Sequence, residues 1–437
     1  MNFEDSVVKL NVKSRIIDYN HPNNIFNIES FTGTGFFITD KLILTCYHVV
    51  ENAINIEILY KQTIHIIGTI KHIFPDDDLA VVELEYSIKD AKILEFKIID
   101  TRHNEEVLTV GFPLDSTTIK ITKGIISGYQ ESLIQTDAAL NHGNSGGPLI
   151  IQDGKSYKII GVNVSKMSGT ITKTGYVVPI YRFIILQKKL NLNNYLNSLV
   201  IQKPCIYWDF QCLIQDKLKK FLFNKKPELL KKNIGIRFTI INTNYYLAKY
   251  IKVGDVLLSI NSIPVDNLGN IKFNFFPEKI SINDIGLWFV SGDELEFEIY
   301  NPENGITRII KIKLEIIKTN LRRYFYLDNY PKSFVENNGL ILSIFTKDHM
   351  DNIKDLHITT SNLIKFLNRF LQQKDLFTVY LVDLDYLKIN TKFIKYPIGE
   401  IILEINGKQF NNLEEFTEVI KEQIIYFKTL DNEIFFV

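Results

Sequence analysis

Along the first 180 residues the apolar positions come in short runs broken by Gly, Asn, Asp and Pro. Gly35-Phe36-Phe37-Ile38-Thr39, Leu79-Ala80-Val81-Val82-Glu83-Leu84, Val107-Leu108-Thr109-Val110-Gly111 and Lys158-Ile159-Ile160-Gly161-Val162 are examples. Runs of this length with turn residues between them predict short β-strands, and their spacing predicts an all-β sandwich or barrel. The period then changes. Phe183, Ile184, Leu186, Leu190 and Tyr195 fall at near-helical spacing, so residues 181–200 are expected to form a helix closing the β-rich part.

Beyond residue 200 the texture is mixed helix and strand, and one pattern occurs twice. Val253-Gly254-Asp255-Val256-Leu257-Leu258-Ser259-Ile260-Asn261 is echoed by Ile398-Gly399-Glu400-Ile401-Ile402-Leu403-Glu404-Ile405-Asn406-Gly407. Each copy reads as a Gly-acidic turn, an apolar strand and an Asn-containing turn. Two copies of one supersecondary unit imply two related domains. The expected division is 1–200, 201–318 and 319–437, with short joints because no low-complexity linker separates the parts.

Composition narrows the classes of function. The 437 residues exceed one ordinary core, in line with several domains. Lys+Arg and Asp+Glu are equal at 50 each, so no net charge draws the chain to nucleic acid or to an anionic membrane. The three cysteines, Cys46, Cys205 and Cys212, form no disulfide framework and point to a reducing compartment. Three thiols are too few for a metal site, and the Cys205–Cys212 spacing does not match a zinc knuckle, so no metal or other cofactor is expected. No apolar run reaches the roughly 18 residues of a membrane helix. The N-terminal MNFEDSVVKLNVKSRII lacks the apolar stretch of a signal peptide. The resulting expectation is a soluble intracellular protein of the cytoplasm or nucleus.

The segment with the most chemistry is Asn141-His142-Gly143-Asn144-Ser145-Gly146-Gly147-Pro148. A nucleophilic serine needs backbone N–H groups nearby to hold the oxyanion of a tetrahedral intermediate. The flanking glycines allow a tight turn in which the N–H groups of Gly143 and Ser145 converge. Upstream, Ile43-Leu44-Thr45-Cys46-Tyr47-His48-Val49-Val50 puts His48 where an apolar strand ends. Asp78 follows Pro75-Asp76-Asp77 and opens Leu79-Ala80-Val81-Val82, where a carboxylate can accept the imidazole Nδ1–H and fix its tautomer. Asp76 and Asp77 read as solvated turn residues. The order His, Asp, Ser is that of the chymotrypsin arrangement.

With these segments in place, the first 200 residues resemble the protease domain of the HtrA/Deg family of trypsin-fold serine proteases. The matching segments are Gly33-Thr34-Gly35-Phe36, Ile43-Leu44-Thr45 with His48-Val49-Val50, Asp78-Leu79-Ala80-Val81, Val110-Gly111-Phe112-Pro113, Ile121 to Ser127, Gln135 to Ala139, Gly143 to Pro148, Gly161-Val162 and Tyr176-Val177-Val178-Pro179. The resemblance implies a chymotrypsin-like double β-barrel. It assigns the general base to His48, its orienter to Asp78, the nucleophile to Ser145 and the oxyanion hole to the N–H groups of Gly143, Asn144 and Ser145. By position, Leu140, Lys166 and Met167 would line the substrate pocket. Loops at about 112–120, 137–144 and 165–174 would gate activity.

The resemblance extends more weakly to the C-terminal half. Ile251 to Asp293 resembles the first PDZ domain of plant-type Deg proteases, and Gly339-Leu340-Ile341 with Ile398-Gly399-Glu400 resembles the second. The loop that would grip a peptide carboxylate should lie near Asp209 to Leu213, which contains no Gly. Family members assemble as trimers or stacked trimers, with Phe31 a candidate contact here. The chain also departs from the family pattern. Cys46 and Tyr47 stand before His48 where Asn-Ala or small residues are usual, and His142 precedes Gly143. Cys46 reads as a small buried residue and His142 as loop decoration.

The function these residues imply is ATP-independent endoproteolysis of unfolded or damaged proteins. The alternative is a chaperone-like or binding protein with a resting protease domain.

Overall fold

The structure, a computed structural model, describes residues 3–24, 27–98, 103–164, 174–192, 200–204, 206, 208–241, 246–316, 334–345, 349, 364, 378–384, 398–411 and 413–437. In the strand Ala53–Tyr60, Ile56, Ile58 and Tyr60 are buried while Asn55 is exposed. That is the period of two expected of a sheet with one wet face. This strand is β4 of a closed barrel with β1 (Val7–Arg15), β2 (Ile28–Phe37), β3 (Leu42–Cys46), β5 (Ile64–Phe74) and β6 (Leu79–Leu84), in the order β1-β2-β3-β6-β5-β4. β3 and β6 do not alternate: nine of their eleven residues are buried, because one face fills the barrel and the other meets the second barrel. A bulge between Ile70 and His72 breaks the register of β5, which ends in three buried residues, His72, Ile73 and Phe74.

The second barrel uses β8 (Glu106–Gly111), β9 (Lys120–Gln130), β10 (Leu133–Thr136), β11 (Pro148–Asp153), β12 (Ser156–Val164) and β13 (Gly175–Pro179), after a short β7 (Glu95–Phe96) that pairs parallel to β12. The order β11-β8-β9-β10-β13-β12 is closed by pairing of β11 with β12. Val107, Ile126, Ile134, Leu149, Ile160 and Val177 fill it. After a one-turn helix α1 (Tyr47–Val50) in the first barrel, the predicted closing helix is α2 (Ile180–Leu192). It buries Phe183, Leu186 and Leu190 as their spacing requires. Tyr195 lies outside the described residues.

Residues 208–313 form a smaller module with the sheet order β14 (Trp208–Cys212), β15 (Ile236–Ile241), β16 (Val256–Ile260), β20 (Glu294–Tyr300), β21 (Thr307–Lys313). Three two-residue strands, β17 (Ile263–Pro264), β18 (Asn270–Ile271) and β19 (Ile280–Ser281), and a helix α3 (Asp216–Leu222) complete it. The segment 209–213, expected as a carboxylate-binding loop, is instead mostly the edge strand β14. Its backbone is committed to the ladder with β15. This module and most of the two barrels belong to one compact unit, Met1–Lys13, Ser30–Val50 and Asn55–Ile317. They are joined by aromatic stacking of Tyr181 on Phe275, with centroids 4.5 Å apart and rings 7° from parallel. Trp288 Nε1 also donates to Ser132 Oγ at 3.2 Å, and that hydroxyl donates to Asp284 Oδ2 at 2.9 Å.

A second unit comprises Ser14–Glu29, Glu51–Ile54 and Lys318–Val437. Its sheet runs β22 (Phe334–Asn337), β23 (Leu340–Phe345), β24 (Thr378–Leu384), β25 (Ile401–Ile405), β27 (Tyr426–Thr429), β28 (Ile434–Phe436), with β26 (Lys408–Gln409) paired to β25 and a helix α4 (Leu413–Val419). Leu342, Leu381, Ile402 and Phe416 pack in one core, and Ile341, Phe345, Tyr380 and Ile401 in another. Tyr19 packs against the second of these, with its ring 4.8 Å from that of His349.

The repeat seen in the sequence has a structural counterpart. Gly254 N–H donates to Phe238 O at 2.9 Å, and Gly399 N–H donates to Leu381 O at 2.7 Å. The following acidic residues, Asp255 and Glu400, accept through their carbonyls from the same two residues.

Candidate active site

At the end of β3 the chain turns into α1, because Val49 and Val50 enter the core and leave the side chain of His48 40% exposed. The partner is presented by a 3-10 turn at Pro75–Asp77, whose proline suits the fixed φ of a first helical position. Asp78 ends that turn in the left-handed region, at φ 51° and ψ 42°, with its N–H donating to Pro75 O at 3.2 Å. Its carbonyl accepts from Tyr47 N–H at 3.0 Å. From this position Asp78 Oδ1 accepts the backbone N–H of His48 at 3.0 Å, and Oδ2 lies 2.7 Å from His48 Nδ1. A carboxylate at Nδ1 favours the tautomer with its proton there and the lone pair at Nε2.

The serine loop is held from several sides. Gly143 and Gly146 have φ of +93° and +83°, and a Cβ on either would press into a backbone carbonyl, that of Phe112 or of Thr34. Ser145 O accepts from Thr34 N–H at 2.9 Å, and Thr34 Oγ1 donates to Gly143 O at 2.6 Å. Asn163 O accepts both from Gly146 N–H at 2.9 Å and from the Cys46 thiol at 3.2 Å. One carbonyl of the second barrel therefore ties the residue after Ser145 to the strand that delivers His48. The His142 carbonyl is taken by Leu114 N–H at 2.7 Å. A trans peptide points its C=O and N–H in opposite directions, so the Gly143 N–H points away from Leu114. Lys9, buried in the first barrel, secures this 113–115 turn by pairing with the Asp115 carboxylate and donating to the Asp115 carbonyl at 3.2 Å.

Of the residues singled out for the substrate pocket, Leu140 is half-buried against the second-barrel core and beside Gly175. Lys166 and Met167 lie outside the described residues, as does the 165–174 loop apart from Thr174. His142 is exposed, and so is Phe31 at 41%. Cys46 is fully buried, as its character suggested. Burial, and next the charge of Asp78, push its thiol pKa well above the ordinary value.

The reading of Asp77 as a solvated turn residue is wrong. Its side chain is wholly buried, 2.5 Å from Arg182 Nε and 3.5 Å from Lys203 Nζ. Asp76 is also engaged, its Oδ2 accepting from the Lys203 backbone N–H at 2.8 Å and its carbonyl from Arg182 Nη2 at 3.1 Å. Lys203 is held down at about 8, first by burial and further by Arg182, against the pull of Asp77 and Asp76. One signal for Arg182 was present in the sequence: it stands four residues before Leu186 and eight before Leu190, on the apolar stripe of α2. Among the described residues, Cys46, His48 and Asp78 bring three metal-ligating atom types within 4.8 Å of one another. Each of those atoms already serves the contacts above.

Two closed six-stranded barrels, with a His–Asp pair on one and a glycine-rich serine loop on the other, define a trypsin-like serine endopeptidase. The trypsin-like peptidase domain family matches residues 33–162. The chain is 28% identical over 399 residues to putative protease Do-like 12, mitochondrial, of Arabidopsis thaliana, covering 83% of this chain and 76% of that one. It is 24% identical over 466 residues to protease Do-like 2, chloroplastic, of the same plant, covering 99% and 71%. It is 27% identical over 291 residues to serine protease HTRA4 of Mus musculus, covering 63% and 58%. In fold it is similar to the HtrA-type protease AlgW solved with a tripeptide, at TM-score 0.52 and 19% identity over 71% of this chain and 94% of that one.

In sequence and in fold the chain is similar to serine proteases of the HtrA/Deg family. The expected cytoplasmic or nuclear location is overturned by these relatives, several of which are named mitochondrial or chloroplastic. Among the described residues no helix is long and apolar enough to cross a membrane.

Proposed function

We propose that His48, Asp78 and Ser145 are the catalytic triad and that the N–H groups of Gly143 and Ser145 form the oxyanion hole, the Asn144 N–H of the expected set being given instead to Asn141 O at 3.0 Å. The observation that carries this reading is the double engagement of His48 by Asp78, at Nδ1 and at the backbone N–H. In this reading His48 takes the Ser145 proton as the hydroxyl attacks a peptide carbonyl. It then passes that proton to the leaving amine, and water releases the acyl group by the same route. No nucleotide takes part in either half.

The substrates are unfolded or damaged polypeptides, whose extended chains can reach a nucleophile set between two barrels. AlgW, solved with a tripeptide, supports peptide engagement in this architecture. The two C-terminal modules act as PDZ-like domains, and the first offers β14 as an edge to which a strand could be added. Assembly into trimers through the N-terminal part, with Phe31 in the contact, completes the proposal. Its test is sedimentation of the wild type beside Phe31→Asp.

The test of the triad is labelling by a fluorophosphonate probe, expected for the wild type and absent in Ser145→Ala. Folded wild-type protein that resists the probe would remove the reading. The His142 carbonyl, held by Leu114 N–H, turns the Gly143 N–H the opposite way, and this favours turnover over a resting chaperone. The chaperone reading would instead have Ser145→Ala protein suppress client aggregation as well as the wild type.

A further inference from the structure

Asp78 holds His48 from a backbone conformation that a residue with a Cβ rarely adopts. Such conformations are strained and persist only where the surroundings over-determine them. Here the surroundings are ionic and buried. Each residue of the turn before Asp78 is gripped: Pro75 by the Asp78 N–H, Asp76 by Arg182 and the Lys203 backbone, and Asp77 by both cations. The side chains of Asp77, Arg182 and Lys203 are 0%, 4% and 3% exposed.

The gripping residues come from two separate segments. Arg182 stands on α2, and Lys203 on the connector that leaves the barrels for the 208–313 module. That connector is fixed on one side by Ile201 N–H donating to Ile73 O at 2.9 Å, beside the parallel bridge between Ile73 and Val200. On its other side the Pro204 carbonyl lies so close to Gly286 that any side chain there would collide with it. The turn that aims Asp78 is thus clamped by the chain's exit from the protease domain.

We propose that Asp77, Arg182 and Lys203 are positioning residues for the reaction, holding Asp78 in the geometry that orients His48. The proposal rests on the triad reading above. A buried charge set of this kind contributes little net stability compared with apolar side chains of similar volume, whereas removing one member leaves an uncompensated charge. The role therefore lies in where it puts Asp78. Displacement of a catalytic group by about 1 Å costs on the order of 10²-fold.

The experiment compares, in the full chain, wild type with Arg182→Met and with the triple variant Asp77→Leu, Arg182→Met, Lys203→Met. The triple variant refills the site without an orphan charge and so separates positioning from folding. Three readouts apply: the unfolding midpoint, kcat and KM on an unstructured protein, and the low-field proton resonance of the His48–Asp78 hydrogen bond. The triple variant is expected to fold, with kcat down about 10- to 10²-fold, KM within about twofold, and the low-field signal lost or shifted. Arg182→Met is expected to lose the same signal in whatever fraction folds. A folded triple variant with wild-type kcat and an unchanged resonance overturns the proposal. Fluorophosphonate labelling is run alongside. If the wild type does not label, the triad reading itself fails; if wild type and triple variant label at equal rates, only the positioning role fails.

Discussion

Asp77 and Asp78 are adjacent in the chain and opposite in surroundings: Asp77 is sealed from water against Arg182, while Asp78 turns outward to His48. The switch is made by one residue in the left-handed region, which reverses the side-chain direction between successive positions. The pair makes the site sensitive to small changes of chemistry at fixed shape.

Asp78→Asn is the sharpest of these. The amide can offer Nδ1 an N–H instead of a lone pair, which favours the wrong imidazole tautomer. In the trypsin-like template this costs about 10⁴-fold in kcat with the geometry intact. A loss of that order is expected on an unstructured protein substrate at neutral pH, with an unfolding midpoint close to wild type.

Gly143→Ala tests the oxyanion loop. The φ of +93° and the Phe112 carbonyl both oppose a Cβ, so the 142–143 peptide must move. Loss of one oxyanion donor is worth about 10²–10³-fold in kcat. Gly254 provides the control, since its φ is nearly the same, +95°, but nothing lies where a Cβ would go. Gly254→Ala is expected to lower the unfolding midpoint modestly and to leave kcat unchanged.

The buried lysine gives a pH signature in stability. Lys203 titrates at about 8 in the folded chain and near 10.5 when exposed. Between those values the unfolded chain binds more protons, so stability rises with pH across that window. The penalty of holding a charged Lys203 is full below about pH 8 and fades towards 10.5. Any gain in unfolding midpoint of Lys203→Met over wild type should therefore be smaller at pH 10 than at pH 7, set against a pH-independent cost of taking one cation from Asp77. Paired thermal melts at the two pH values measure it, and a gain that grows with pH would contradict the assignment.

Cys46 and Cys212 should differ in reactivity. The Cys46 thiol is buried, engaged with Asn163 and raised in pKa, whereas Cys212 is half-exposed. Alkylation follows the accessible thiolate. Native protein treated with iodoacetamide, then digested and mapped, is expected to carry the label at Cys212 and to leave Cys46 unmodified until denaturant is added.

The residues proposed as the triad could be picked out in the sequence because each sits in a local signature. Glycines bracket Ser145, an apolar strand ends just before His48, and another begins just after Asp78. Barrel strands such as Leu79–Leu84 and Glu106–Gly111 were equally legible as short apolar runs between turn residues. What surrounds the triad was not. The fate of Asp77 depends on Arg182 and Lys203, more than a hundred residues further on, and a run of three acidic residues after a proline reads locally as a wet turn. The segment 209–213 misled for a related reason: its lack of glycine was visible, but its ladder with β15 was not. Location was misjudged because cysteine count and local hydropathy carry no address, whereas several similar proteins are named mitochondrial or chloroplastic.

The packing of Tyr19 within the second unit bears on how the chain is made. Its partners include Ile341, Phe345 and Tyr380, so about 320 residues separate the two sides of this contact. At about 5–20 residues per second of synthesis, the 14–29 segment waits tens of seconds for the strands it packs on. The first barrel can begin to close while that segment still lacks its face. The second unit therefore completes only late in translation, and a chain released early leaves Tyr19 and its neighbours exposed as a mark of incompleteness.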